Sequence, residues 1–589
     1  MHRRLVRLLT ALRLAWESSP RALAASAGLW VAQGLLPLVA LILLRRLVDA
    51  VTTPSEAQGA VWLAALLGAV TLLAAWAQSL SSLVSEAHAQ RVADHVAEKL
   101  HAKSLELDLE YYDDPHYYSV LHRAQQEAPY RPVKTVNDLA AIGQGGLALL
   151  AMTGLLASIR WELALVLFAS ALPGIAVKVR SARALFAWQR SRTEDERRAW
   201  YYQWLLIDGA YAKEVRAFDF GSMVRGWFRE LRTRLRGERL ALLKSRTWGQ
   251  MAAQAVGVVP LYGSLAYLTA ETVAGRQTIG DLVLFYAAAQ RGLASLQELL
   301  SGLAGFYEDN LFLSNFFEFL ELPSRVREPE RPRPIPRAVQ EGFALRDVSF
   351  RYPRADHDAL SGVSLSVGRG EVVALVGENG AGKSTLVKLL CRLYDPSAGI
   401  VALDGVPLTE LPLSKLRGLL TVAFQDPARY HLTLRENVWL GDVSQPIDAA
   451  RLLRALEVSG AARVAAGLPK GVDTSLGHWL EGGHELSVGE WHRVALARAL
   501  WRDAWLVILD EPTSAMDPEA EERFWTELRP ALAGRAALLI SHRFSTVRQA
   551  DRIYVLERGR IVESGSHDAL VGMAGVYSRL YASQARYYA

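Results

Sequence analysis

Apolar positions crowd the first half of the chain. Uncharged runs long enough to span a bilayer, for which about 20 apolar residues suffice, occur at Ala22–Leu44, Ala57–Ser85, Leu139–Ile159 and Thr247–Ala270. A shorter run, Leu163–Val177, is bracketed by Trp161 and Lys178, side chains suited to a membrane–water interface. A further run, about Ile279–Tyr307, is interrupted by Asp281, Arg291 and Glu298. Six spanning helices are therefore expected within residues 1–327, the Ile279–Tyr307 span being the most irregular. The connections alternate between short ones and two long, charged, helix-patterned ones at 86–138 and 178–246. Basic residues are dense in the second long loop and ahead of the first span. Both long loops and both termini are thus expected on the cytoplasmic side. The basic start, MHRRLVRLLTALRLAW, reads as an interfacial helix before a retained first span rather than as a cleaved leader.

From about Glu328 a Pro-rich linker, assigned to 328–340, separates this region from one with a different pattern, 341–589. Phe343–Phe350 alternates like a half-buried strand, and Glu371–Val376 is a compact apolar run that reads as a buried one. That run leads directly into Gly377-Glu378-Asn379-Gly380-Ala381-Gly382-Lys383-Ser384-Thr385, after which a helix is expected. Glycines at 377, 380 and 382 let backbone N–H groups close around phosphate oxygens, and the helix N-terminus adds partial positive charge. Lys383 is placed to reach the β- and γ-phosphates, and Ser384 to offer its hydroxyl to Mg²⁺. A second buried strand, Trp505–Leu509, ends in Asp510 and Glu511. Asp510 is the expected Mg²⁺ ligand, and Glu511 can polarise an attacking water, which points to hydrolysis of the nucleotide. The bland alternative, a strand ending in solvated acids, loses force beside the glycine loop.

Composition changes this picture little. The 589-residue chain is too long for one core. Its hydrophobic share of 51% hides the division between the halves. The net charge of +5 comes largely from arginines flanking apolar runs, so it suits membrane anchoring and not nucleic acid. A single cysteine, Cys391, leaves no intrachain disulfide and no Cys-rich metal site. The thirteen histidines show no metal-ligand spacing.

Between the two strands lies Leu486-Ser487-Val488-Gly489-Glu490, opening a strong helix pattern. A Ser followed by Gly at a helix start is a second anion site. Two phosphate sites for one nucleotide are reconciled if two such regions face head to tail, each glycine loop completed by the other's Ser487 helix.

In the order of these motifs the chain resembles an ATP-binding cassette (ABC) exporter of the half-transporter kind, over essentially its whole length. The resemblance implies a multidomain fold: an all-α six-helix transmembrane domain followed by an α/β P-loop ATPase. It implies that Tyr352 stacks on adenine, that Gln425 senses Mg²⁺ and the attacking water, and that His542 contacts the γ-phosphate. It further implies that Ser514-Ala515-Met516-Asp517 crosses between the two cassettes. Two departures stand out. The usual LSGGQ is LSVGE here, with Val488 and Glu490 replacing a Gly and a Gln, and the preceding LGHWLEGGHE is longer than the family form. Either Glu481 or Glu485 supplies the acid expected to touch the partner's cytoplasmic loop.

The same resemblance implies an ATP- and Mg²⁺-dependent exporter in the cytoplasmic membrane, with its cassette in the cytoplasm. It acts as a dimer, a homodimer being preferred and a heterodimer the alternative. Short helices near Tyr111–His122 and Ala210–Phe218 are expected to transmit force. Drugs, lipids and peptides stay open as substrates, while a self-trimming peptide exporter is disfavoured because no protease region precedes the spans. A membrane-bound ATPase that regulates without transport is the rival reading. Arg291 and Glu298, seven residues apart, read either as a polar patch on the transport path or as a stabilising pair.

Overall fold

The computed structural model describes residues 13, 16–52, 57–113, 121, 131–336, 338–479, 481–513, 516, 518–532 and 534–588. The chain forms two compact units, Met1–Glu106 with His116–Leu322, and Leu107–Pro115 with Pro323–Ala589. The expected basic helix at the N-terminus lies almost wholly outside the described residues, as does most of Tyr111–His122.

The helices of the N-terminal half are α1 (Pro20–Thr52), α2 (Ala57–Glu106), α3 (Leu109–Asp113), α4 (Arg131–Ile159), α5 (Trp161–Ser191), α6 (Thr193–Ile207), α7 (Ala212–Ala217), α8 (Gly221–Val273) and α9 (Ile279–Leu320). All except α3 belong to the first unit. The six expected spans fall within α1, α2, α4, α5, α8 and α9. Among the described residues, α1, α2, α4 and α8 are apolar enough over sufficient length to cross a membrane. At 50 residues, α2 is about 75 Å long, more than twice a hydrocarbon core of about 30 Å. The charged loop sequences are largely continuations of spanning helices, as their period suggests.

Asp281, which interrupts the Ile279–Tyr307 run, belongs to the helix start. It forms a reciprocal capping box with Thr278 and accepts an ion pair from Arg45 at 2.8 Å. An acid there meets the positive end of the helix dipole, so its burial is compensated. Asp49 accepts a bond from the Gly280 N–H at 3.0 Å and fastens the same corner to α1. Gln33 donates to the Ala77 carbonyl at 3.0 Å, and Gln144 to Ser81 Oγ at 3.3 Å. These two amides join helices. Arg291 and Glu298 are exposed in the single chain.

Small residues bring α4 and α9 together. A Cβ on Gly145 would lie 2.8 Å from both the Ser295 carbonyl oxygen and the Leu299 nitrogen. One on Gly302 would lie 2.8 Å from the Asp138 carbonyl oxygen. Backbones in such contact gain dispersion over their whole interface, the main attraction available where lipid is as apolar as the helices.

In the second unit, strands β2 (Leu360–Val367), β1 (Phe343–Phe350), β4 (Ala398–Leu403) and β5 (Val406–Pro407) form an antiparallel sheet in that order. A six-stranded sheet has the order β10 (Arg560–Gly565), β9 (Arg552–Glu557), β3 (Val372–Val376), β8 (Ala536–Ile540), β7 (Leu506–Asp510), β6 (Leu420–Ala423). All its neighbours are parallel except β10 and β9. Strands β3, β7 and β8 are buried at every position, which is why they read as unbroken apolar runs. Helices α10 (Lys383–Leu390) and α11 (Val488–Trp501) follow the glycine loop and Ser487.

Replacing Gly145 with Val is expected to destabilise the first unit by about 1–3 kcal/mol through overpacking, read as a lower unfolding midpoint in detergent. Ala at Gly28, where a Cβ meets nothing within 4 Å, serves as the silent control.

Candidate functional site

The parallel strands deliver their carboxyl ends to one edge. Pairing of Leu375 and of Asp510 with Ile540 levels the ends of β3, β7 and β8. Brought together there are the glycine loop after β3, Asp510 and Glu511 at the end of β7, and His542 just beyond β8. Gln425 follows β6, the next strand over. A cavity of about 740 Å³ opens at this edge, lined by Lys383, Ser384, Gln425, Asp510 and Glu511, with Tyr352 at its side.

The glycine loop cannot carry side chains where it matters. Gly382 holds φ +109 as the N-cap of α10, a left-handed conformation that disfavours any Cβ. A Cβ on Gly377 would lie 2.2 Å from the Leu556 carbonyl oxygen. Lys383 turns its ammonium back on the loop, donating to the carbonyls of Gly377 at 2.7 Å and Glu378 at 2.9 Å. Burial pulls its pKa down, opposed by the charges of Glu511 and Asp510. Of the other expected loop residues, Asn379, Gly380 and Thr385 line the cavity, while Glu378 and Ala381 lie in the loop without lining it.

Asp510 is pushed up to about 6, first by burial and then by the neighbouring Glu511 carboxylate, with Lys383 and His542 pulling the other way. Glu511 sits at φ +53, an uncommon conformation for a non-glycine residue. Its N–H donates to the Ile540 carbonyl at 2.8 Å, and its Oε1 is 2.7 Å from His542 Nε2. The exposed histidine thus holds the buried acid from the strand next door.

Tyr352 flanks the cavity within an aromatic cluster. Its ring meets Phe350 and Tyr394 edge-on, with centroids at 4.9 and 5.6 Å, and its hydroxyl is 3.1 Å from Thr385 Oγ1. The Lys388 ammonium lies 5.2 Å from the Tyr352 ring centre. The Tyr394 hydroxyl in turn donates to Asp113 of α3 at 2.8 Å. Burial and that carboxylate push the Tyr394 phenol well above its usual range.

Ser487, Val488, Gly489 and Glu490 do not line this cavity in the single chain. Ser487 caps α11, and Glu490 closes a capping box with it. The Ser487 N–H and hydroxyl both donate to Glu490 Oε2 at 2.8 Å, which holds that carboxyl below its usual range. Val488 is 56% exposed, so no packing requirement selects it. Glu485 bonds Trp491 Nε1 at 3.2 Å and lies 3.1 Å from His478 Nδ1; Glu481 is exposed. Ser514, Ala515 and Asp517 lie outside the described residues.

Residues 360–514 match the sequence profile described as ABC transporter. The chain is 27% identical to the nisin transport ATP-binding protein of Lactococcus lactis, over 86% of this chain and 84% of that one. It is 29% identical to the ATP-dependent lipid A-core flippase of Chromobacterium violaceum, over 92% and 91%. Its fold superposes on a bacterial Atm1-family ABC exporter with ATP bound, at TM-score 0.81 and 25% identity, covering 96% of this chain and 98% of that one. In domain, sequence and fold the chain matches the ABC exporters. This exporter is a fused half-transporter whose cassette is an ATPase coupled to transport, and its helical region makes it a multi-pass membrane protein.

The exporter's cavity also holds residues that sequence reasoning missed: His357, Asp358 and, at the β9–β10 turn, Arg558 and Gly559. Gly559 donates its N–H to the Ala381 carbonyl at 3.0 Å and accepts one from Ser361 at 2.8 Å. That fastens the turn between glycine loop and β2. The Glu-Arg-Gly-Arg turn is visible in the sequence, but its placement follows from β9 pairing with β3.

The raised Asp510 gives a signed prediction for the nucleotide-free protein. An acid whose folded pKa exceeds its unfolded value of 3.8 lowers stability progressively as pH rises from about 4 to 6. Asp510→Asn should therefore raise the unfolding midpoint at pH 7, with the gain shrinking as pH is lowered towards 5. A gain that is flat with pH would contradict this account.

Proposed function

We propose that two copies of this chain form a homodimeric exporter in the cytoplasmic membrane, moving a hydrophobic or amphiphilic substrate outward by alternating access. The carrying observation is the convergence of Lys383, Ser384, Asp510, Glu511 and Gln425 on one cavity at the ends of adjacent parallel strands, in a chain that aligns with ABC exporters along almost its whole length. Relatives named as a lipid A-core flippase and a nisin transport protein support an amphiphilic lipid or peptide as the substrate class.

In this reading Tyr352 carries the adenine, and the loop Gly377–Thr385 wraps the phosphates. Lys383 exchanges its two carbonyl partners for phosphate oxygens. Mg²⁺, held by Ser384, Gln425 and Asp510, would supply charge neutralisation at the phosphates; a hydroxyl, an amide oxygen and a carboxylate suit a hard cation that keeps several oxygens from its substrate. Glu511 takes a proton from the attacking water, and His542 keeps its carboxylate aimed and then contacts the terminal phosphate. Ser487, Gly489 and the start of α11 face the nucleotide of the partner, consistent with their absence from the cavity of their own chain. Asp517, which lies outside the described residues, is assigned to the same nucleotide on the family resemblance alone. Nucleotide held by both cassettes favours their closed pairing, and hydrolysis releases it. The basic flanks of the spans support a cytoplasmic cassette.

Glu511→Gln should bind ATP and dimerise normally while turnover falls about 10²–10⁴-fold; wild-type hydrolysis in that variant would remove the role assigned to Glu511. At the opposite face, Glu490 places a negative charge where a triphosphate must approach. Glu490→Gln retains a side-chain acceptor for the cap and removes that charge. The KM for ATP should fall several-fold, equivalent to about 1 kcal/mol, with kcat little changed and the difference shrinking at high salt. An unchanged KM would argue against a partner nucleotide at the α11 N-terminus.

A further inference from the structure

The first unit contains a second cavity, of about 570 Å³, between α5, α8 and α9. Its two ends differ in chemistry. At one end Lys178 and Arg246 stand with Gln250, Gln297 and Ser301; at the other the wall is Val258, Leu261, Leu293 and Leu296. Arg246 and Leu261 are about 22 Å apart along α8 at 1.5 Å per residue. The ends are set by antiparallel packing. A Cβ on Gly257 would lie 2.7 Å from the Ser170 carbonyl oxygen, and one on Gly249 3.1 Å from Val177 Cγ1. These approaches hold α5 against α8 and bring Lys178 level with Arg246.

The charges at this end are of one sign. Arg246 is close enough to Lys178 for the two to repel, and among the described residues no acidic side chain lines the cavity. The Lys178 ammonium donates to Ser301 Oγ at 2.6 Å and to the Gln297 carbonyl at 3.2 Å, both neutral acceptors. Elsewhere in this unit cations meet acids, as Arg45 meets Asp281 and Arg160 meets Glu271. Lys178 is half-buried and Arg246 exposed, so two like charges stand beside apolar walls with no acid lining the cavity, and an anion entering it is attracted to both. The cations also stand where α5 and α8 change from apolar to charged sequence, the depth at which an amphiphile carries its head.

We infer that this cavity is a binding site for an amphiphile with an anionic head, the head held by Lys178 and Arg246 and the tail by Leu261, Leu293 and Leu296. This rests on the export reading and narrows its substrate to negatively charged amphiphiles. Gln254, on the cavity wall, belongs to this site, whereas Arg291 and Glu298 do not line it.

The test uses the full-length protein in neutral-lipid nanodiscs and radiolabelled probes of equal chain length: dodecyl phosphate, dodecyltrimethylammonium and, separately, inorganic phosphate. The expected result is at least tenfold tighter binding of dodecyl phosphate than of the cation, with no competition by inorganic phosphate at the same concentration. Lys178→Gln with Arg246→Gln should remove that preference, and Lys178→Arg should keep it. Equal binding of the two head groups by the wild type, or full competition by inorganic phosphate, overturns the inference, and neither readout needs a variant to fold. Preference surviving in a folded double variant overturns it too. ATP-driven uptake into inverted vesicles separates the two levels. Uptake of the cation but not the phosphate ester rejects the anionic site and leaves export standing. Binding of the phosphate ester without ATP-driven uptake of any amphiphile keeps the site and rejects export.

Discussion

Strands β6, β7, β8 and β3 run the same way, side by side, and each ends where its backbone hydrogen bonds run out. Chain segments leaving those ends must turn in the same space, and the groups proposed to handle phosphate and Mg²⁺ within one chain come from the ends of these strands and those turns. The interaction that aligns them is ordinary ladder pairing, Asp510 opposite Ile540 and Leu375 opposite the same residue. Slipping β7 by one position would exchange the faces of all its side chains and carry Asp510 and Glu511 away from Lys383. The apolar uniformity of these strands therefore sets geometry as well as stability, because burial on both faces penalises any other register.

Within that frame, electrostatics is arranged by proximity of unlike groups under partial burial. Asp510 and Glu511 are successive acids on a buried edge, a costly pairing that the nearby Lys383 ammonium eases, with the His542 ring against Glu511. His542 reaches across from the adjacent strand to Glu511, so the strained backbone at that acid is held from the side by the imidazole and from behind by the Ile540 carbonyl. Each group constrains the next, and the set is prepared for added charge.

Legibility from sequence divides along lines of distance. Glycine loop, buried strands and terminal acids are local patterns, each confined to about ten residues, and their chemistry is written in their spacing. The helical region was legible for the same reason, since apolar length is a local property. Features that depend on contacts between distant residues were not. Asp281 looks like an interruption until Thr278 and Arg45 are seen around it. Arg558 gives no sign of its place until β9 pairs with β3. Glu490 is the exception: Ser487-x-x-Glu490 is a local capping-box pattern, hidden because the residue reads as a departure from the family's glutamine. The cavity between α5, α8 and α9 needs three helices, and no window along the sequence holds all of them.

Asp108 accepts hydrogen bonds from the N–H groups of Arg325 and Val326 and from the Ser324 hydroxyl, while Glu110 pairs with Arg325 at 3.0 Å. Asp108 follows the last residue of α2 by two positions, and Ser324 follows α9 by four. The two stretches of chain that enter this unit, at 107–110 and 323–326, are thus tied to each other by one buried carboxylate, so neither can be drawn out of it without breaking the other's bonds.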